Sequence, residues 1–380
     1  MVEDLLEKLK GIDVAILTNV VCKDQNDPNF EITEWDVKRL SDKGIANPDG
    51  LWLFSGIGIG SKGIQPWSVV LKILVRQNDE PPLDNHWHWK REFLWAQSGL
   101  ANNLMCPVKA PRLFHSEETP DGAWIWMECV KELHPGSWTL DNYAFAAHQL
   151  GLWNGVYLTG TSLPTENWLA RQHYRSWLSW IKFEEDWQFS LNQKHVPKEV
   201  IKRCEQLWNE RETFFKVLES LPQVFSHFDC QRRNLMIRTG ANRANELVAL
   251  DWAQCGIGAI GTELNWLVGG SAMLLEWVPS GLPDLDEVAF RSYIQGLQDT
   301  GWLGDVNIVR LGYVTMLATF IGCAFPGLTA AFCSSKEREF ASQIFGCAEE
   351  ELFWQMFPIL GYSLDCADEA RSLMKKLGHL

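Results

Sequence analysis

The chain has 380 residues, enough for two or three compact units at about 150 residues each. Its 34 Lys and Arg face 48 Asp and Glu, a net charge of −14, which argues against a broad basic surface for nucleic acid or anionic lipid and is compatible with a cationic small substrate. Hydrophobic residues at 46% with 22% charged exclude long disordered tracts.

The opening stretch, MVEDLLEKLK, is charged and lacks the apolar centre of a signal peptide, so a cytoplasmic chain is expected. The ten cysteines form no CxxC pair and no Cys/His cluster with zinc spacing, which fits reduced thiols. The first third reads as short strands at 34–40, 51–56 and 67–75, apolar and β-branched or aromatic, bounded by Gly, Pro, Asn and Asp. Over 87–98 the apolar period lengthens to that of a helix, and 123–127 (AWIWM) is strand-like again. A connection at 128–137 follows, containing Pro135 and Gly136.

Beyond it, helical patterns run over 141–155, 168–187 and 197–218, interrupted by two strands, 234–238 and 246–251, around a Gly/Asn-rich turn. The uncharged run 311–333 is long enough to cross a bilayer. Its Gly312, Gly322, Pro326 and Gly327, with no Lys/Arg cluster beside it, favour a buried helix broken at Pro326 over a membrane anchor. The 20 Trp read as core packing, each indole N–H meeting a carbonyl, with an aromatic cage for a quaternary ammonium as the alternative. The pattern as a whole predicts an α+β fold: a β-rich N-terminal lobe with one helix (1–127), a connector (128–137) and a large, mostly helical lobe (138–380).

The chemistry concentrates in SHFDCQRRNL, which holds His227-x-Asp229 and, five residues on, Asn234; Asp251 ends the following strand and precedes Gly256, Gly258 and Gly261. Phosphoryl transfer asks for these groups. One carboxylate accepts the proton of the attacking hydroxyl, and an amide with a second carboxylate holds Mg²⁺ against the phosphates. Asp229 suits the first task, Asn234 and Asp251 the second. Lys72 lies inside the apolar run 69–75, where an unpaired charge costs several kcal/mol, so it needs an acid or an anion; Glu92 on the next helix is a candidate, as is Glu132.

With these residues the sequence resembles the aminoglycoside phosphotransferase and choline kinase-like family, small-molecule relatives of the protein kinases. HFDCQRRN is similar to that family's H-x-D-x4-N catalytic loop, and LDW at 250–252 to its metal-binding strand end. VKAPRLF at 108–114 and AAHQLGLWNG at 146–155 are similar to stretches of bacterial members. The resemblance implies a bilobal protein kinase-like fold with a small antiparallel N-terminal sheet, and ATP- and Mg²⁺-dependent transfer to a small-molecule hydroxyl. It implies that Asp229 is the catalytic base, that His227 buttresses the loop, that Asn234 and Asp251 bind magnesium, and that Lys72 and Glu92 serve the ATP phosphates. Adenine would dock on backbone groups of Glu128 and Cys129.

Gly58, Gly60 and Gly63 satisfy GxGxxG, but a strand follows at once, so they read as the turn between the second and third strands. The phosphate-covering loop then falls at 41–50, with Ser41, Lys43 and Gly44 as its contacts, although an ordinary solvated hairpin loop has the same composition. The chain departs from the family at two places. Gln231 stands where many members have His, followed by Arg232 and Arg233: either one of them, Arg232 first, supplies positive charge to the γ-phosphate, or both face solvent. Glu263 stands where the family usually has Asp. The acidic run 184–186 either faces a cationic acceptor or is a solvated face. The competing function is a catalytically inactive nucleotide-binding module. The acceptor is not written in these motifs, because relatives share the phosphate machinery and differ in acceptor contacts.

Overall fold

The computed structural model describes residues 2–40, 50–103, 107–179, 181–182, 185, 196–333 and 349–379. The chain divides into two compact units. The first comprises Met1–Leu83, Trp87–Leu104 and Lys109–Glu132, the second Asp84–His86, Met105–Val108 and Leu133–Leu380. The main crossing falls between Glu132 and Leu133.

The first unit is built on an antiparallel sheet in the order β1-β2-β3-β6-β5, from β1 (Glu31–Arg39), β2 (Leu51–Gly60), β3 (Gly63–Val75), β5 (Leu113–Thr119) and β6 (Gly122–Glu128); the two-residue β4 (Val108–Lys109) precedes β5. Ser61 and Lys62 turn β2 into β3 with Gly60 facing Gly63, so the GxGxxG stretch is a hairpin turn. The sheet also carries two helices that the apolar pattern did not disclose, α1 (Val2–Lys10) and α2 (Val14–Gln25). Asp13 caps α2 by accepting from the Ala15 N–H at 2.8 Å, and Leu17, Val20 and Val21 bury against Phe30, Trp52, Phe54, Val69, Leu71 and Trp126. A separate cluster of Leu74, Ala123 and Ile125 receives Phe93 of α3 (Arg91–Ser98), which begins four residues later than its pattern and is followed by the short α4 (Leu100–Asn103).

The second unit is mainly helical: α5 (Leu140–Leu158), Lys198–Ser220, Leu282–Asp299, Val306–Leu317 and Glu349–Leu377 are its long members. The helical pattern over 168–187 yields only α6 (His173–Leu178) among the described residues. Ala170 exchanges backbone hydrogen bonds with Cys255 and Ile257, and that parallel bridge to Gly256, preceded by a turn in which the Leu169 N–H bonds the Glu166 carbonyl, takes 168–170 out of a helix. Two small sheets follow: an antiparallel pair of β7 (Gln223–Ser226) with β10 (Gly256–Ala259), and a three-stranded sheet in the order β4-β9-β8, in which β8 (Leu235–Thr239) runs antiparallel to β9 (Asn245–Ala249). The apolar run is core: 89% of the candidate membrane-spanning window in Val306–Leu328 is buried. Its helix passes into a π-turn at Ala318–Gly322 and restarts at Phe325, so Pro326 lies in a first turn, where its missing N–H costs nothing.

α5 and Leu282–Asp299 touch backbone to backbone at two glycines. A Cβ on Gly151 would lie 2.2 Å from the Tyr293 carbonyl oxygen, and one on Gly296 would lie 2.2 Å from that of His148. Gly151→Ala is expected to cost about 1–3 kcal/mol by forcing the helices apart. Gly361→Ala, in a helix with no heavy atom within 4 Å of the added carbon, should be neutral or stabilising. Urea midpoints of the two variants against the parent check both.

Candidate functional site

The turn after β7 begins in a strained backbone. Phe228 takes φ 59°, a left-handed conformation that side-chain-bearing residues avoid, and the chain then makes a single 3₁₀ turn over Arg232–Asn234 before β8. Both features are held by hydrogen bonds. His227, fully buried, accepts the Asp229 N–H at Nδ1 (3.2 Å) and donates from Nε2 to the Leu250 carbonyl (2.8 Å), while its ring stands edge-on to Trp252 at 4.7 Å. This bonding fixes the neutral Nε2–H tautomer and leaves both ring nitrogens engaged.

Asp229 is 8% exposed. Gln231 Nε2 donates to its Oδ1 at 3.0 Å, and Asn234 Nδ2 donates to its Oδ2 at 2.7 Å and to its carbonyl oxygen at 2.9 Å. The Asn234 amide is thereby oriented with nitrogen toward Asp229, which leaves Oδ1 as the atom that could accept a bond or a cation. The β8–β9 hairpin brings Asp251 beside it. Leu235 pairs with Ala249 and the Leu250 N–H donates to the Asn234 carbonyl at 2.7 Å, so residues 234 and 251 flank one end of the pair. Asp251 itself is left-handed, with φ 57°. Among the described residues no group of three or more His, Cys, Asp and Glu is arranged for a metal. One amide oxygen and one carboxylate suit Mg²⁺, which takes few protein ligands and fills its octahedron with water and substrate phosphate.

Lys72 of β3 and Glu92 of α3 form a salt bridge within the first unit, with Lys72 8% and Glu92 5% exposed. Glu128, at the end of β6, is partly committed: its N–H donates to the Arg112 carbonyl at 2.9 Å and its carboxylate pairs with Arg112. That N–H is therefore bonded within the sheet. Cys129 is a half-buried free thiol. Ser41, Lys43 and Gly44 lie outside the described residues, as do Glu184 and Asp186. Glu185 is exposed beside Lys182 at 3.7 Å, a solvated pair.

Arg232 departs from expectation. Its guanidinium donates to the carbonyls of Leu235 (3.1 Å), His134 (3.2 Å) and Gly136 (2.8 Å) and lies 4.4 Å over the Trp138 ring, so its fork is taken up by backbone oxygens. Arg233 instead donates to Glu276 at 2.6 Å and to the Leu274 carbonyl at 3.3 Å.

Other supports escaped sequence reasoning. Asn154 of α5, fully buried, donates to the Phe225 carbonyl (3.0 Å) and accepts from the Tyr293 hydroxyl (2.6 Å), which in turn accepts the Gly261 N–H. A lone amide in an otherwise apolar helix face was the available signal. Beneath the turn, Glu263 has no exposure and accepts from the His227 N–H (2.5 Å) and from Cys230 Sγ (3.0 Å).

A model of the phosphotransferase enzyme family (APH) matches residues 91–303. Among solved structures, the chain is similar to the microcompartment-associated aminopropanol kinase at 11% identity and TM-score 0.51, covering 94% of this chain and 99% of that one. It is similar to a choline kinase from Cryptosporidium parvum Iowa II at 13% identity and TM-score 0.52, covering 97% and 98%. An aminoglycoside phosphotransferase from Alicyclobacillus acidocaldarius has 11% identity and TM-score 0.50, covering 90% and 96%. At these identities the likeness is one of fold. No curated protein matches the sequence.

Burial pushes the Glu263 carboxyl up to about 7, outweighing the hydrogen bonds from Cys230, the His227 and Phe228 N–H groups and Ser226. The folded chain thus holds this proton more tightly than the unfolded chain. The group's contribution to stability is complete below its ordinary value of 4.5 and is lost as pH rises through about 7. From pH 5 to 8 the parent is expected to lose about 2.5 kcal/mol relative to Glu263→Gln, measured by denaturant titration. Parallel pH responses of the two proteins would reject the shift.

Proposed function

We propose that this chain, which belongs to the phosphotransferase enzyme family, moves the γ-phosphoryl group of ATP onto a hydroxyl of a small molecule. The observation that carries the proposal is the Asp229 carboxylate, nearly buried and aimed by amide donors from Gln231 and Asn234, with Asp251 beside Asn234 across the hairpin end. A carboxylate fixed in this way can accept the proton of an attacking hydroxyl without first reorganising, which is what a general base supplies.

His227 does not exchange protons in this scheme: with both nitrogens bound, it sets the Asp229 N–H and ties the turn to Leu250. Asn234 Oδ1 and the Asp251 carboxylate would hold Mg²⁺, which when bound neutralises charge developing on the phosphates. The Lys72 ammonium, kept in place by Glu92, is the cation for the α- and β-phosphates. The segment up to residue 127 is then the nucleotide-binding lobe, 128–137 its connector and 138–380 the catalytic and acceptor lobe. Adenine would bind backbone groups of Glu128 and Cys129, the Glu128 N–H itself being bonded to the Arg112 carbonyl. The seven cysteines whose side chains are described carry free thiols, which supports the cytoplasmic reading.

A nucleotide-binding module without catalysis would need none of the aim seen at Asp229. Asp229→Ala is expected to lower ATP-dependent phosphorylation by about 10²- to 10⁴-fold while ATP binding persists, and chelation of Mg²⁺ should abolish turnover in the parent. ADP release across a panel of amino alcohols, sugars and aminoglycosides, with calorimetry for ATP binding, checks both. ATP binding without phosphate transfer to any hydroxyl would favour the inactive module.

A further inference from the structure

The two residues that aim the Asp229 carboxylate, Gln231 and Asn234, enclose Arg232 in the sequence, and the side chain of Arg232 leaves the turn altogether. It is 8% exposed, and its guanidinium reaches the chain just past the entry into the second unit: the carbonyls of His134 and Gly136 and the face of Trp138. A third bond, to the Leu235 carbonyl, closes back on the start of β8. The receiving segment is shaped for this contact. Gly136 has φ 107°, a left-handed backbone that presents its carbonyl at 2.8 Å, and Trp138 is buried and braced edge-on by Tyr143 at 5.4 Å. The main chain is tied as well, with the Arg232 N–H donating to Ser271 Oγ at 3.3 Å and the Leu133 N–H donating to the Ile237 carbonyl at 2.7 Å.

We propose that Arg232 is a positioning residue that fastens the turn carrying Asp229 and Asn234 to the segment 133–138, so that the aim of the Asp229 carboxylate depends on a guanidinium clamped between backbone carbonyls and an indole ring. The proposal rests on the phosphotransferase reading for its kinetic consequence and on the observed contacts for its structural one. Lysine cannot take the place of this arginine: an ammonium has no planar fork to span carbonyls on two segments while lying flat on a ring. Arg233 does not duplicate the tie. Its side chain is 37% exposed, and it pairs with Glu276, next to Leu275, whose φ is 56°, and with the Leu274 carbonyl, not with the segment 133–138.

The test uses the full chain and two measurements. Amide hydrogen exchange without nucleotide is followed in the parent, Arg232→Lys and Arg232→Ala. Exchange should quicken together in 133–138 and 229–235 in both variants, and not across the helices of the same unit. MgATP turnover is then read as ADP release with water or an accepted alcohol as acceptor, with Asp229→Asn as the blank. A displaced carboxylate is expected to lower kcat by roughly 10- to 100-fold, with the KM for ATP changed about threefold or less. Methylguanidinium should restore part of the turnover of Arg232→Ala and none of that of Arg232→Lys, whose side chain fills the slot. Unchanged exchange in the two segments, or a lysine variant as fast as the parent, would overturn the proposal. A guanidinium that contacted phosphate instead would leave nucleotide-free exchange unaltered. Should Arg232→Ala fail to fold, the lysine variant, which keeps the charge, decides alone. If the parent releases ADP no faster than Asp229→Asn, the phosphotransferase reading fails, and the exchange measurement still decides the tie.

Discussion

A fully buried carboxylate holds the functional turn together. Glu263 receives the His227 N–H and the Cys230 thiol, and with them the backbone on either side of the strained Phe228. Removing a carboxylate from water costs several kcal/mol, and the dense set of donors around Glu263 offsets part of that cost. That requirement explains why so many groups converge under one turn. The Gly261 N–H that precedes Glu263 is itself held by Tyr293, and Tyr293 by Asn154, so the carboxylate stands at the end of a chain of bonds rooted in two long helices. Aim at Asp229 is thereby a property of the helical core as much as of the turn.

The parts of the molecule that were legible in the sequence are those where a residue's chemistry has few alternatives. A lysine amid Val, Leu and Ile had to be paired, and the pairing with Glu92 is observed. The spacing of His227, Asp229 and Asn234 is local, so one turn brings them together whatever the rest of the fold does. Helix 141–155 was legible because its buried positions, among them 143, 147, 150, 151 and 154, recur three and four residues apart.

What was not legible depended on distant partners. The segment around Ala170 has a helical stripe, but the backbone of β10 competes for its hydrogen bonds and wins. α2, with the sequence VAILTNVVCKDQ, is rich in β-branched residues that suit a strand equally well; its cap and its seat on the sheet make it a helix. Arg232 was misjudged for a related reason. An arginine three residues after Asp229 suggests an anion, yet carbonyl oxygens and an indole face satisfy a guanidinium equally, and their proximity is a tertiary fact. Cys230 and Gln231 carry no periodic signal at all, since their roles are defined by Glu263 and by the Asp229 carboxylate.

Gly258 sits opposite this arrangement. A Cβ there would come within 2.4 Å of the Phe228 ring, so the strand floor and the twisted residue above it fit one another like a socket and its plug. Divergence at either site is therefore coupled: a side chain gained at 258 must be answered by a smaller ring at 228. Lineages descending from this protein should show the two positions changing as a pair or not at all.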